Sequence, residues 1–548
     1  MSEPRVIGVV PALERTRRRR LFDALEAAYP VSFIGRDTGS WRGLDAVLGF
    51  LHAGGTGAVD PPPVPGLWYH GDEGPASWGR SIRFADDPRL PAALRGARIP
   101  DSAPDGSARL PLTSEDAVLA GTPTLPVWTR QTVGLSSRDD VVIAPAELGR
   151  GEVLRNRLMP GRCLAMLALT QFLRDVTAGR RWELPPTRAA FVIDDPNLRW
   201  PTYGHVNYDE LSRSAFASRY HVSIAMIPLD GWPTHPRAVA VFHARPEQLS
   251  LCIHGNDHYG GELGRLDSDE AGIAQVAQAL RRVQAFERRT GLGVDRVMVP
   301  PHECVSEAAA SALLACGYEA LASTRTYPWL KLGTSPDVAW ITRPTDAGAL
   351  TGWGSATVLP GGLPLLVRVP FDRASEEVHL RAFLGQPVVL YGHHDLLEYG
   401  SSALESAAAT INRLGDVRWS SLGGIARGAM EWRRDGSAFQ LRMLGRRVAV
   451  DVPDWASEIL VDLTELAPAG SGVLMVREAG RESKAVIADG HAQLPVAHPG
   501  RLELSLDPVI DPGRVRPPRW RLGAVAHRLA AEVRPRAVQV AGLRRASR

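Results

Sequence analysis

Short apolar segments recur through the first third of the chain, separated by segments whose apolar residues have helical spacing. The apolar segments are 6–10, 31–35, 46–51 and 141–144, and the helical ones include 18–29 and 151–177. Strands that alternate with helices are typical of a parallel sheet covered by helices. We therefore predict an N-terminal α/β domain with a parallel sheet over residues 1–182.

A second series of apolar segments begins near Pro185, and helical segments lie between several of them. The apolar segments are 189–195, 222–229, 249–255, 295–301, 364–371 and 387–394. The segment 269–289 has an apolar stripe at helical spacing, acidic residues at its start and basic residues at its end, as expected of a helix. Repeated strand–helix units over about 240 residues are typical of a barrel. This pattern predicts a distorted (β/α) barrel over residues 183–428.

Beyond residue 428 the apolar segments become short and follow one another through turns, without helices between them. Such a series is typical of a small antiparallel β-sandwich, which we predict for residues 429–512. The remaining residues, 513–548, form a separate basic segment that we predict to be an amphipathic tail.

This tail contains ten arginines and a single acidic residue, Glu532. Because the whole chain has a formal net charge of +3, the tail carries +9 and the rest of the chain −6. A short helix is predicted over 519–533, with one face formed by Trp520, Leu522, Val525, Leu529 and Val533. A cationic amphipathic helix suits an anionic membrane surface, which predicts peripheral membrane contact. The alternative is a tail that is solvated or packed on the acidic body, and that body predicts no nucleic-acid partner.

The cysteines are Cys163, Cys252, Cys304 and Cys316, and they form no CxxC pair. This spacing indicates neither a disulfide framework nor a structural zinc cluster, and reduced thiols are typical of the cytoplasm. The N-terminal residues place an apolar strand before a basic run, the reverse of a secretory signal peptide. No segment approaches the roughly 20 apolar residues that span a bilayer. We therefore expect a cytoplasmic protein.

Carboxylate and imidazole side chains collect where the predicted barrel strands end. In chain order they are Asp194 and Asp195, His254 and His258, His302 and Glu303, and His393 and His394. In (β/α) barrels the carboxyl ends of the strands hold the active site. We therefore expect these side chains to meet at one rim.

The pairs His254 with His258 and Asp194 with Asp195 together indicate a metal site. Histidines four residues apart lie on one face of a helix or tight turn, a common metal-binding arrangement. Two adjacent carboxylates at the end of an apolar strand repel each other unless a cation is present. The alternative is that Asp195 caps the turn that follows it. One carboxylate and two imidazoles leave room at a metal for water and substrate.

Four motifs resemble those of the polysaccharide deacetylases of the NodB type, which are carbohydrate esterase family 4-like enzymes. The motifs are AFVIDDPN (190–197), HGNDH (254–258), RVMVPPHE (296–303) and VVLYGHHD (388–395). Their order and spacing are similar to the family pattern across residues 186–425, and their departures from it indicate a divergent branch. The resemblance implies that the central domain is the distorted barrel of the NodB type.

The resemblance also implies a role for each residue of the predicted site. Asp195, His254 and His258 would bind one divalent metal, commonly zinc in this family. Asp194 would be the general base that takes a proton from water. A second titratable group would then protonate the leaving amine as the general acid.

Two adjacent histidines are candidates for that acid. The His-Asp order of the family favours His394, whereas the end of the strand favours His393. The chain departs from the family at Val299, where an arginine that orients the base is usual, and Arg296 lies too far back to replace it. It also departs at Pro196, where glycine or threonine is usual. These differences imply a different substrate.

Polar and aromatic residues beside the motifs are candidates for substrate binding, namely Asn197, Trp200, Tyr203 and His302. Tryptophan and tyrosine rings stack on sugars, although such residues are more often just partly buried. The sequence thus predicts a metal-dependent hydrolase that removes an acyl group, acetyl for preference, from an N-acylated sugar, glycolipid or sugar-containing small molecule inside the cell. The alternatives are hydrolysis of another amide or ester bond, or a binding module that has lost catalysis.

Overall fold

The computed structural model describes most of the chain. The described residues are 3–51, 62–71, 76–104, 110, 116–123, 125–133, 136–143, 164–231, 233–324, 355–359, 362–466, 472–496, 499–506, 508, 510–518 and 522–531. They fall into two compact units, of which one runs to Glu183 and includes Glu376–Leu384, and the other begins at Leu184. Among the described residues, no helix combines the length and apolar character needed to span a membrane.

A nine-stranded sheet forms the N-terminal unit, with the strand order β2-β1-β3-β4-β9-β8-β7-β5-β6. The strands are β1 (Arg5–Val10), β2 (Val31–Gly35), β3 (Ala46–Leu51), β4 (Gly66–Gly71), β5 (Ala76–Phe84), β6 (Arg98–Pro104), β7 (Ala117–Gly121), β8 (Pro126–Val133) and β9 (Ser136–Ile143). Helices α1 (Leu13–Arg17), α2 (Arg19–Ala28) and α3 (Leu164–Val176) belong to the same unit.

This sheet is mixed, so the prediction of a parallel sheet is wrong for half of it. β1, β2, β3, β4 and β9 pair in parallel, whereas β5 to β8 pair antiparallel with their neighbours. Only residues 134–135 separate β8 from β9, and a parallel pair needs a crossover of about a dozen residues. Three of the antiparallel strands, β5, β6 and β8, mix polar with apolar residues, and the fourth, β7, is only five residues long, so none of them forms a distinctive apolar segment.

The second unit contains a barrel of seven parallel strands, as predicted for its central part. The barrel strands are β10 (Thr187–Asp194), β13 (Val222–Met226), β14 (Leu249–His254), β15 (Asp295–Val299), β16 (Ala320–Ser323), β18 (Leu363–Pro370) and β19 (Val388–Gly392). They are neighbours in this order, and β10 closes the circle by pairing with both β13 and β19. The accessory strands are β11 (Thr202–Tyr203), β12 (Val206–Asn207), β17 (Thr357–Leu359) and β20 (Val417–Trp419).

Helices lie between many of these strands. They are α4 (Tyr208–Ser218), α5 (Pro236–Ala244), α6 (Asp269–Thr290), α7 (Glu307–Ala315), α8 (Ala374–Leu384), α9 (Ser402–Ile411) and α10 (Leu422–Arg427). α6 begins after Ser268, whose side chain accepts a hydrogen bond from the Ala271 N–H, and it ends at Gly291, which has a φ of 73°. A serine at the start and a left-handed glycine at the end are preferred helix caps. They explain why the pattern of 269–289 predicts this helix well.

Small and medium apolar side chains fill the inside of the barrel. The inward residues of one buried cluster include Ala190, Val192, Cys252, Val297, Val299 and Leu366. α10 adds Leu422 and Ile425 to this cluster from the amino-terminal end of the strands, where the Gly423 N–H donates to Asp295. Because side chains alternate along a strand, the next inward positions toward the carboxyl ends are Asp194, His254 and Arg368. The fold therefore places a layer of polar residues at the carboxyl end of the strands, next to the apolar residues that fill the barrel.

Two four-stranded sheets follow the barrel, with strand orders β21-β22-β24-β27 and β23-β28-β25-β26. Their strands are β21 (Met430–Asp435), β22 (Ala438–Met443), β23 (Arg447–Val452), β24 (Glu458–Asp462), β25 (Gly472–Glu478), β26 (Arg481–Ile487), β27 (His491–Pro495) and β28 (Gly500–Leu506). Inward residues of both sheets, such as Leu441 and Val448, form one buried apolar cluster, the packing of a β-sandwich. Residues 522–531 are helical and are called the C-terminal helix here.

Candidate metal centre

An Asp–His–His cluster lies at the carboxyl end of the barrel strands. The ligand atoms that Asp195, His254 and His258 offer all lie within 4.8 Å of one another. Oδ1 of Asp195 is 3.4 Å from Nε2 of His254 and 3.4 Å from Nε2 of His258. A carboxylate and two imidazoles that converge in this way match the three-ligand set of catalytic metal sites.

The backbone conformation of Asp195 brings its side chain into this cluster. Regular alternation along β10 points Asp194 into the barrel, so it would point Asp195 outward. Asp195 instead has a φ of 82°, and His258 has a φ of 53°. Both values lie in the left-handed region, which is uncommon for residues with a side chain and costs free energy. These strained conformations direct the carboxylate and the second imidazole toward the same point.

Contacts behind the ligands fix the two histidines. Nδ1 of His254 donates to the Val299 carbonyl oxygen over 2.9 Å, which leaves Nε2 to bind a cation. The turn that carries His258 wraps around the buried Glu262. Oε1 of Glu262 accepts the backbone N–H of Asn256 at 2.6 Å and that of His258 at 3.0 Å. Such outer contacts orient metal ligands and typically contribute strongly to metal affinity.

The charges in the cluster suit a cation. Oδ1 of Asp195 is buried without a hydrogen-bond partner, a costly state that a bound cation relieves. Burial disfavours the charge of Asp195, but His254, His258 and His393 together lower the pKa of this carboxyl below its usual range. Burial and the charge of His254 lower the pKa of His258 to about 4, so this imidazole is neutral near pH 7. Neutral imidazole is the form that binds metal.

Asp194 is held by an arginine that the sequence motifs did not indicate. Nη1 of Arg368, on β18, lies 2.8 and 3.0 Å from the two carboxylate oxygens of Asp194, and Nη2 donates to Glu303. Both Asp194 and Arg368 are buried, and the guanidinium carbon lies 4.3 Å from the centroid of the Tyr391 ring. A buried guanidinium that binds two carboxylates keeps the Asp194 side chain oriented.

The orienting arginine therefore comes from a different strand than the family pattern implied. Arg296 binds Glu287, with 2.7 Å between Nη2 and Oε2, and takes no part in the cluster. The sequence did carry a signal for Arg368, which is the only charged residue of the apolar strand LPLLVRVP. A charge inside a buried strand is costly unless a partner meets it, so this position calls for a carboxylate from elsewhere in the chain.

The two candidate proton donors differ in their surroundings. His393 is exposed and lies close enough to Asp195 to affect the pKa of its carboxyl. His394 is half-buried, and its ring centroid lies 5.8 Å from that of Tyr203. A Cβ at Gly204 would come within 2.6 Å of Nδ1 of His394, so this ring packs directly on the glycine backbone. Burial lowers the pKa of His394.

The predicted substrate-binding residues differ in accessibility. His302 is exposed, and its ring centroid lies 5.2 Å from that of His258. Trp200 is 46% exposed. Tyr203 and Asn197 are buried, and Oδ1 of Asn197 accepts the backbone N–H two residues further along the chain. A ligand at the rim can therefore reach His302 and Trp200 more readily than the other two.

Comparison with known proteins gives no sequence match but does give structural ones. No protein-family model matches the chain, and no curated protein matches it. The solved structure of Agd3, described as a novel carbohydrate deacetylase, is 10% identical with a TM-score of 0.44, and the match covers 92% of this chain and 98% of that one. A T48 deacetylase structure is 10% identical with a TM-score of 0.26, over 44% of this chain and 89% of that one.

The chain is also similar to a carbohydrate esterase family 4 pseudoenzyme, BA3943 from Bacillus anthracis. The identity is 11%, the TM-score is 0.27, and the match covers 46% of this chain and 69% of that one. These similar structures are of the class that the sequence motifs resemble. Because the identities are 11% or lower and the TM-scores 0.44 or lower, the function has to be derived from the site itself.

Proposed function

We propose that the protein is a metal-dependent hydrolase that removes an acyl group, acetyl for preference, from the amide nitrogen of an N-acylated sugar or glycoconjugate. The observation that carries this proposal is that two adjacent carboxylates face different partners. Asp195 faces two histidines, whereas Asp194 faces Arg368. Metal-assisted hydrolysis of an amide uses one group to hold the cation and another to accept a proton, and this arrangement supplies both.

Asp195, His254 and His258 would hold the cation, which we propose to be zinc. When bound, a divalent cation of this kind polarises the acyl carbonyl and lowers the pKa of water. The unpartnered Oδ1 of Asp195 and the outer contacts of both histidines support this ligand set. Three protein ligands leave a position open, as catalytic metal sites require.

Asp194 is the proposed general base. Each carboxylate oxygen has two lone-pair sites, so Asp194 can stay bound to Arg368 and still accept a proton from water. The fixed orientation of a buried ion pair saves the entropy of positioning the base during the reaction. Arg368 touches the base and not the substrate, so its proposed role is to position Asp194.

We assign the proton donor to His393. Its side chain is exposed, so a substrate can reach it. His394 is packed against Tyr203 and Gly204, and burial lowers its pKa, which reduces the protonated fraction that a general acid needs. Because its ring is packed and its pKa is lowered, we propose that His394 has a structural role in the site.

Substitution of each histidine in turn tests this assignment. His393→Gln is expected to lower kcat about 10²–10⁴-fold, because the leaving nitrogen loses its proton donor. His394→Gln removes a packing contact and is expected to change kcat by less than about 10-fold, with a larger effect on thermal stability. Steady-state kinetics and melting curves of both variants test the assignment. A larger loss of kcat in His394→Gln than in His393→Gln would make His394 the acid.

The substrate class follows from the accessible residues beside the cluster. Trp200 is 46% exposed, its ring centroid lies 6.3 Å from that of His235, and exposed aromatic rings of this kind bind the apolar side of a sugar ring. His302, 5.2 Å from His258, can serve as a hydrogen-bond partner for hydroxyl groups. The similar structures described as carbohydrate deacetylases point to the same class.

Release of free acid from defined substrates tests the proposed function. Zinc-loaded protein should release acetate or formate from at least one N-acylated amino sugar, sugar nucleotide or glycolipid, and protein treated with a chelator should not. Release from O-acyl esters alone would mean a different bond specificity. Stoichiometric metal and sugar binding without release from any substrate would mean a binding module.

A further inference from the structure

The C-terminal helix turns an arginine inward and leucines outward. Arg528 is 5% exposed, whereas Leu522 is 79% and Leu529 58% exposed. Residues seven apart lie on the same face of a helix, and Ala526 between them is exposed as well. A helix that packs only to complete a domain turns its leucines toward the core. Trp520 and Val533, which the sequence placed on the same apolar face, lie outside the described residues.

Contacts on the inner side fix this orientation. Arg528 forms an ion pair with the buried Asp230, with 3.1 Å between Nε and Oδ2. Asp230 also accepts from Nη2 of Arg199 over 3.3 Å. The ring of His527 lies 5.7 Å from that of Tyr259, edge to face. The outward direction of the leucines is therefore imposed by charged and aromatic contacts on the opposite face.

These contacts also place the helix beside the metal cluster. Tyr259 directly follows the ligand His258 in the chain, and its side chain is partly exposed. Asp230 lies just beyond the carboxyl end of β13, which is between β10 and β14 in the barrel. β10 and β14 are the strands that lead to Asp195 and His254. The C-terminal helix thus lies beside the rim at which the proposed site opens, and its leucines are on the outward face.

Arginines precede and follow the C-terminal helix in the sequence. Residues 513–548 contain ten of them and one acidic residue, and Arg514 and Arg516 are exposed in the segment that leads to the helix. Apolar side chains flanked by cations match a lipid surface with anionic head groups. A two-fold contact between copies would bring two segments of charge +9 together, and like charges at an interface are strongly unfavourable.

We propose that the C-terminal helix docks this protein on an anionic lipid surface, with Leu522 and Leu529 inserted at the level of the acyl chains. Arginines of the tail, among them the exposed Arg514 and Arg516, bind the head groups, and Arg528 holds the helix to the barrel through Asp230. Docking in this orientation turns the rim of the metal site toward the bilayer. If the proposed function holds, the substrate amide is carried by a lipid head group or glycolipid.

Vesicle co-sedimentation of the full chain tests this docking. The probes are vesicles of phosphatidylcholine alone and vesicles of phosphatidylcholine and phosphatidylglycerol in equal parts, each at low and high salt. Wild type is expected to bind the anionic vesicles at least about 10-fold more tightly than the neutral ones, and less tightly at high salt. The double variant Leu522→Ser, Leu529→Ser is expected to lose about 10-fold or more of this binding.

Val486→Ser is the matched control, because Val486 is 75% exposed on β26 of the sandwich. This variant should bind vesicles as wild type does, and all variants should keep the same metal content and the same rate on a soluble substrate. Equal binding by the double variant and wild type would overturn the proposal, as would no binding by either. Self-association of wild type that the double variant loses would instead make the face an interface between copies. Vesicle binding needs no turnover, so it can succeed or fail independently of the proposed chemistry.

Discussion

Replacing His254 by alanine is expected to strip most of the divalent metal from the purified protein. His254 is one of the three proposed ligands, its Nε2 lies 3.4 Å from Oδ1 of Asp195, and its Nδ1 donates to the Val299 carbonyl oxygen. Loss of an outer contact alone typically costs about 10–100-fold in metal affinity, so loss of the ligand should cost at least that much. Elemental analysis after dialysis, followed by titration with zinc, measures the effect.

A neighbouring histidine provides the control for this experiment. His302 lies 5.2 Å from His258, measured between ring centroids, but is not one of the three clustered ligands. His302→Ala makes the same chemical change close by and should leave the metal content unaltered. Equal metal in wild type and His254→Ala would show that the ligand set is assigned wrongly. Loss of metal in His302→Ala would add a fourth ligand to it.

Asp194→Asn should leave the metal bound and lower kcat by about 10²–10⁴-fold. The amide has the shape of the carboxylate but is a poor proton acceptor, and none of the three clustered ligands is altered. Single-turnover kinetics with metal-loaded variant and wild type give the ratio. A variant with the metal content and kcat of wild type would exclude Asp194 as the base.

Stability has to be separated from catalysis in this variant, because Asp194 is one of two carboxylates bound to the buried Arg368. Removing one partner of a buried ion pair is destabilising by about 3–5 kcal/mol. Glu303→Gln takes away the other carboxylate while leaving the base in place. We expect the two variants to melt at similar temperatures below wild type, with a much larger loss of kcat in Asp194→Asn.

The three residues of the Asp–His–His cluster could be placed together from the sequence because their spacing is local. His254 and His258 are four residues apart, and Asp195 directly follows an apolar strand whose end any barrel would place at the rim. Glu262, which cradles the turn of His258, is also close in the chain, but a lone glutamate in a polar loop has no distinctive pattern. The structure shows how Glu262 holds the turn, through backbone hydrogen bonds that no residue spacing encodes.

Contacts between distant parts of the chain could not be predicted. Arg368 and Asp194 are 174 residues apart, and only the closed order of the strands brings them together. The C-terminal helix shows the same limit, since periodicity identified a face with Leu522 and Leu529 but not which side of the helix the domain covers. In the N-terminal sheet, β1, β2 and β3 coincide with predicted apolar segments, whereas β8, which mixes polar and apolar residues, does not.

The closure of the barrel at β10 has a consequence for how the protein acquires activity. Residues 189–193 pair with 388–392, a contact between segments far apart in the chain, and such contacts form late in folding. Arg368 is on β18 and Asp194 is on β10, and β19 lies between these two strands. The contact between Arg368 and Asp194 therefore depends on the pairing of β19 with β10. A chain that has refolded incompletely can therefore keep the two histidines of the cluster while Asp194 has no partner. If the proposed function holds, the metal content of renatured samples will overstate the fraction of competent molecules, and active-site titration is the proper measure of recovery.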